Sequence, residues 1–242
     1  MNIKGANKLS IPVKKGFTLA EVLITLGIIG VVAAMTIPSL INATEGKELE
    51  AAFKKAYSVL TQAVLIMERE EGQTVNWDNY PNRKFAPVFK KYVRDFFNCG
   101  TNGCLTADIE DEDNPVFNRV SSYRTYDLTQ NVTMEWFDEG QAILGDGMFL
   151  MIQNSNAREN GIVLSIDVNG ISKRPNAWGH DLFSFQITHQ GKLIPMGSPE
   201  SSSNWGGWGG IMCDKNTPSR QNGIGCAYRA LTEKDYFKNL PR

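Results

Sequence analysis

From Phe17 to Asn42 the chain is apolar at almost every position, and Glu21 is the single charged residue there. A run of about 25 such residues crosses the roughly 30 Å hydrocarbon core of a bilayer as a helix. Past the run the pattern turns periodic. Leu49, Ala52, Phe53, Ala56, Tyr57, Leu60, Ala63, Val64 and Met67 recur at three- and four-residue spacing, which predicts an amphipathic helix with one buried stripe. The opposite face carries Glu45, Lys47, Glu48, Glu50, Lys54, Lys55, Glu68 and Glu70, and Gly72 is a stop signal. One helix is therefore expected over 17–71, interrupted at Pro38, which cannot donate to the Ala34 carbonyl.

Residues 73–82 read as a loop and 83–97 as a second helix, with Phe85, Phe89, Tyr92, Val93 and Phe96 on one face and Pro87 in its first turn. From residue 130 the period shortens. Candidate strands are 132–137, 142–144, 148–153, 161–168, 183–188 and 192–195. Gly145-Asp146-Gly147, Asn169-Gly170 and His189-Gln190-Gly191 mark the turns. Hairpin connections imply an antiparallel sheet, so the fold class is α+β, a long N-terminal helix followed by a small antiparallel β-sheet. Residues 198–210 are rich in Gly and Ser and read as a mobile surface loop. Trp205 and Trp208 there could face a partner or a sugar; rings folded back on the sheet are the favoured reading. Thr232 and Asp235 look like the capping box of a last short helix.

The flank of the apolar run sets its orientation. Lys4, Lys8, Lys14 and Lys15 precede it and no acid does, which keeps that end in the cytoplasm and the remainder outside. A secretory signal is a poor fit, because the apolar core is too long and no Ala-x-Ala follows it. A plain anchor leaves Glu21 unexplained, since an ionisable side chain in a membrane segment is costly. Lys14-Lys15-Gly16 followed by Phe17-Thr18-Leu19-Ala20-Glu21 resembles the leader junction of the type IV pilin family, which includes the pseudopilins of type II secretion and the competence pilins. The resemblance covers roughly residues 12 to 60.

That resemblance implies a basic leader, 1–16, removed between Gly16 and Phe17 by a membrane peptidase acting on the cytoplasmic side. The same enzyme would N-methylate Phe17. It implies a transmembrane and assembly half of the helix over 17–41, a globular pilin-like domain over 42–242 whose share of the helix packs on the sheet, and a kink at Pro38. Glu21 matches the family's fifth-position glutamate, which is proposed to meet the amino terminus of a neighbouring subunit. An unpaired charge is expensive in apolar surroundings, so Glu21 is expected to be satisfied only by assembly. Gly27 and Gly30 would let helices approach closely. The implied partners are other pilin subunits, the prepilin peptidase and methyltransferase, and an inner-membrane assembly platform. The implied location is the inner membrane, single-pass with a cytoplasmic N-terminus, then a pilus or pseudopilus. The rival reading is a minor pilin whose tip domain adheres to a surface, sugar or DNA, and a remote third is a membrane-anchored extracellular enzyme.

Composition narrows this further. The 242 residues hold 25 Lys plus Arg against 26 Asp plus Glu, a balance that argues against a general nucleic-acid binder. The acidic run over 108–113 points the same way. Four cysteines outside the cytoplasm predict two disulfides. Of three pairings, Cys99–Cys104 and Cys213–Cys226 are favoured, and spacing argues against zinc. The second pair resembles the disulfide-bracketed C-terminal region of many type IV pilins, a region most pseudopilins lack. Asp167, Asn169 and Asp181 gather oxygen ligands that suit calcium, although ordinary turn chemistry explains them better; no other cofactor is expected. No catalytic motif is present, so no enzyme is expected. His180 and His189 read as surface or turn histidines.

Overall fold

The computed structural model describes residues 16–93, 123–132, 139–154, 161–201 and 213–241. The chain divides between Ala43 and Thr44 into two compact units. Helix α1 runs Leu19–Glu71, and its helical assignment passes through Pro38 without the expected interruption. A proline removes one backbone donor but need not end a helix whose other hydrogen bonds survive.

In the first unit Leu19–Ile37 is long and apolar enough to cross a membrane, and none of it is buried. In the second unit the rest of α1 behaves as its pattern predicts. Phe53, Ala56, Leu60, Ala63, Val64 and Met67 are buried, with Leu49, Ala52 and Tyr57 packed at the edge. The stripe meets a five-stranded antiparallel meander in the order β1-β2-β3-β4-β5. Its strands are β1 Gly140–Ile143, β2 Phe149–Gln153, β3 Ile162–Asp167, β4 Leu182–Ile187 and β5 Leu193–Pro195. Five of the six candidate strands are found within two residues of their expected ends. Of the sixth, 132–137, Val132 lies outside any strand and 133–137 fall outside the described residues.

Strand alternation sends Leu150, Ile152, Ile162, Leu164, Ile166, Phe183, Phe185 and Ile187 toward α1. Phe53 seats against Phe183 with ring centroids 4.5 Å apart, and Tyr57 stacks on Phe185 at 5.2 Å. The other sheet face is buried too. It carries Phe149, Met151, Val163 and Leu182 against Tyr123, Trp178, Met196 and Ile224. On that face Ser165 lies opposite Ser184, their hydroxyls are 2.8 Å apart, and Trp178 Nε1 donates to Ser184 Oγ at 3.1 Å.

Two expected helices differ. Helix α2 covers only Phe85–Phe89, with Pro87 inside its single turn. Beyond it, Lys91 N–H donates to the Val88 carbonyl and Tyr92 N–H to that of Phe89. These tight turns bury Val93 without a longer helix; residues 94–97 lie outside the described residues. The last helix, α3, is Cys226–Thr232, so Thr232 ends a helix rather than starting one. Its hydroxyl donates back to the Tyr228 carbonyl at 2.8 Å. Asp235 then adopts φ +62°, ahead of a 3₁₀ turn, Tyr236–Lys238. Burial decided this: Cys226, Ala227 and Ala230 are packed inside, which outweighs a local capping preference.

Candidate functional site

The N-terminal signal forms a compact local structure. Gly16 and Phe17 are exposed, Phe17 to 88%. Thr18 is the residue before the first helical position. Its N–H and its hydroxyl both donate to Glu21 Oε2, at 2.8 and 2.7 Å, and Glu21 N–H donates back to the Thr18 hydroxyl at 3.2 Å. This is a capping box, a Thr and a Glu three residues apart satisfying each other's backbone donors at a helix start. Glu21 was expected to be satisfied only by assembly; one of its oxygens is already engaged inside the single chain. The Thr-x-x-Glu spacing was visible in the sequence. A Cβ added at Gly27 or Gly30 meets nothing within 4 Å, so both backbones are open on this helix.

Residues 12–37 match the family model for the prokaryotic N-terminal methylation motif. This is the type IV pilin and pseudopilin signal. The pilin signal takes in Gly16, Phe17 and Glu21 and ends one residue short of Pro38. No curated protein and no solved structure matches the chain. The features of the globular unit therefore rest on its own geometry.

The C-terminal region is built around a disulfide. Cys213 and Cys226, both buried, are bonded across a sequence separation of 13. The loop they close is organised from inside by Asn222, whose Nδ2 donates to the Asp214 and Thr217 carbonyls at 2.7 and 2.9 Å while its Oδ1 accepts from Asp214 N–H at 3.2 Å. Arg229 grips Glu233 through two nitrogens and the Cys213 carbonyl through a third. Gly179 passes so close that a Cβ there would stand 2.6 Å from Cys226 Sγ, and its φ is +73°, so only glycine fits. Breaking the bridge, by Cys213→Ser with Cys226→Ser, should cost about 3 kcal/mol in the chain-entropy estimate. Denaturant unfolding of wild type against the double variant measures this, and equal midpoints would deny the bridge a structural role. Cys99 and Cys104, like Trp205, Trp208 and the acidic run over 108–113, lie outside the described residues.

Asp167, Asn169 and Asp181 belong to the β3–β4 connection. The Asn169-Gly170 pair opens a long ordered loop rather than closing a tight hairpin. Asp167 and Asp181 are wholly buried and staple its base. Asp167 accepts from Tyr123 Oη at 2.5 Å and from the N–H groups of Gly170 and Asn169 at 2.8 and 3.2 Å. Asp181 accepts from the N–H groups of Asn176 and Ala177, both at 2.7 Å. Carboxylates used this way hold backbone, and among the described residues no group of three or more His, Cys, Asp or Glu could hold a metal.

Burial pushes the Asp167 carboxyl up from 3.8 to about 7, and the charge of Asp181 adds to the push. Burial lifts Asp181 from 3.8 to about 6, against the pull of the Ala177 and Asn176 N–H groups. A carboxyl that holds its proton better folded than unfolded stabilises the fold fully below the unfolded value of 3.8. That contribution is lost as pH rises through the folded values of about 6 and 7. Asp167→Asn keeps the shape, lets the new amide donate to Tyr123 Oη and removes the like charge. Its unfolding midpoint should fall less between pH 5 and pH 8 than that of wild type; parallel profiles would clear the pair of responsibility.

The histidines separate. His189 is exposed in the β4–β5 turn, 3.8 Å from Asp78. His180, expected as a surface or turn histidine, does lie in a turn but is buried there, with Nε2 2.9 Å from the Tyr126 carbonyl. Burial lowers its pKa, so it is a neutral structural residue at physiological pH.

Proposed function

We propose that the chain is a type IV pilin-like subunit, structural rather than enzymatic. It is made as a prepilin in the inner membrane, cut between Gly16 and Phe17, methylated on Phe17, and polymerised through the first half of α1 into a pilus or a periplasmic pseudopilus. The observation that carries this reading is the methylation motif over residues 12–37, placed on a helix of spanning length whose apolar side chains are all left uncovered. Such a surface needs lipid first and neighbouring helices afterwards. The α+β unit that follows gives each subunit a body that stays outside the membrane, and removal of the leader takes four lysines with it. The cysteine bridge suits an oxidising compartment. Intact-mass and N-terminal peptide measurement of protein recovered from membranes tests the reading. Phe17 at the amino terminus, heavier by one methyl, is expected; a chain still beginning at Met1, or cut beyond residue 40, would overturn it.

A further inference from the structure

On the globular unit a cleft of about 360 Å³ is lined by Glu45, Glu48, Leu49 and Ala52 of α1 and by residues 168–169 and 173–175 of the β3–β4 connection. The helix contributes two carboxylates to this lining, and the β3–β4 connection contributes Lys173 and Arg174. All four are exposed, and none has an ion-pair or side-chain hydrogen-bond partner among the described residues. Between them lies an aliphatic floor of Leu49, Ala52, Val168 and Pro175. Asn169 joins the lining, and its side-chain oxygen is buried without a hydrogen-bond partner.

We propose that this cleft binds the phosphoethanolamine headgroup of a membrane phospholipid, its ammonium toward Glu45 and Glu48 and its phosphate toward Lys173 and Arg174. A ligand of one sign would match one pair of charges and be repelled by the other, whereas a zwitterion matches both. Arg and Lys are the residues that hold phosphate. The carboxylates are acceptors that call for N–H donors. An ammonium supplies three, and the quaternary amine of a choline headgroup supplies none. The cleft is of a size that takes a small polar ligand. Glu45 is the first charged residue after the apolar run that closes at Asn42. The headgroup would hold the unassembled subunit at the membrane surface until assembly withdraws it.

This inference rests on the membrane-anchored reading, but its test involves neither processing nor polymerisation. The full-length chain is purified in detergent micelles doped with dioleoyl-phosphatidylethanolamine or dioleoyl-phosphatidylcholine, and retained lipid is counted by native mass spectrometry. Wild type should retain the ethanolamine lipid about tenfold better, a difference of one decade in affinity. Lys173→Glu with Arg174→Glu, and separately Glu45→Lys with Glu48→Lys, should each abolish the preference without changing the unfolding midpoint, since these side chains are exposed. Water-soluble glycerophosphoethanolamine at millimolar concentration should displace the lipid. Equal retention of both lipids, a preference untouched by both double variants, or failure of the soluble headgroup to compete would overturn the proposal, the last by showing lipid held through its tails. Crosslinked pairs of chains that depend on these four residues, with no headgroup preference, would assign the cleft to a second copy instead.

Discussion

Replacing Gly16 by leucine should leave the chain in the membrane at its full 26.9 kDa, uncut and unmethylated. The substitution is silent to the fold, since a Cβ at Gly16 meets nothing within 4 Å. Any loss therefore falls on the enzyme that reads the junction. A peptidase that accommodates glycine before the scissile bond has little room for a branched side chain there, and a clash in a closed site suppresses cleavage rather than slowing it slightly. The positive flank and the apolar run are untouched, so insertion should proceed as in wild type. A membrane fraction resolved by mass into precursor and mature chain reads the result. Gly16→Ala should be cut slowly and Gly16→Leu not at all. Normal maturation of the leucine variant would mean that the junction lies elsewhere and that the signal has been misplaced.

Much of the architecture was legible because two periods dominate the chain. The three- and four-residue spacing from Leu49 to Met67 matches the stripe that packs on the sheet, and the turn glycines mark out the five strands. The errors came where tertiary packing overrides local preference. Thr232 and Asp235 have capping-box spacing, but burial of Cys226, Ala227 and Ala230 places the helix ahead of them, ending at Thr232. Asn169-Gly170 is hairpin chemistry by composition. The two buried carboxylates at the base of the loop hold it open instead, and one sequence cannot reveal that Asp167 and Asp181 end up neighbours. His180 is a turn residue as its surroundings suggest, but nothing near it in sequence foretells that it is buried against Tyr126. The Thr18–Glu21 capping box was fully legible and was overlooked, because the same residues already carried the meaning of a leader junction.

The capping box sharpens the expected effect of changing Glu21. Glu21→Ala should spare membrane insertion and the globular unit but sharply reduce incorporation into filaments. Two causes are entangled in that result. Alanine removes the acceptor of both Thr18 hydrogen bonds, loosening the first turn of α1. It also removes the negative charge that would meet a neighbour's Phe17 amine in an apolar filament core, and a buried amine without a partner carries a heavy penalty. Glu21→Gln separates the two, because glutamine still accepts from Thr18 and serves in capping boxes while carrying no charge. Thr18→Val does the reverse, removing the hydroxyl half of the box while the carboxylate keeps its charge and still accepts from the residue-18 N–H. If charge pairing drives assembly, Glu21→Gln fails like Glu21→Ala and Thr18→Val polymerises. If the ordered first turn is what neighbours recognise, Glu21→Gln polymerises and Thr18→Val fails. Sheared or crosslinked filament fractions, compared with membrane-embedded chain for all three variants, read the outcome. Filament incorporation of all three at the wild-type level would remove Glu21 from assembly altogether. It would also favour a subunit that caps the tip, where no earlier neighbour offers an amine to be met.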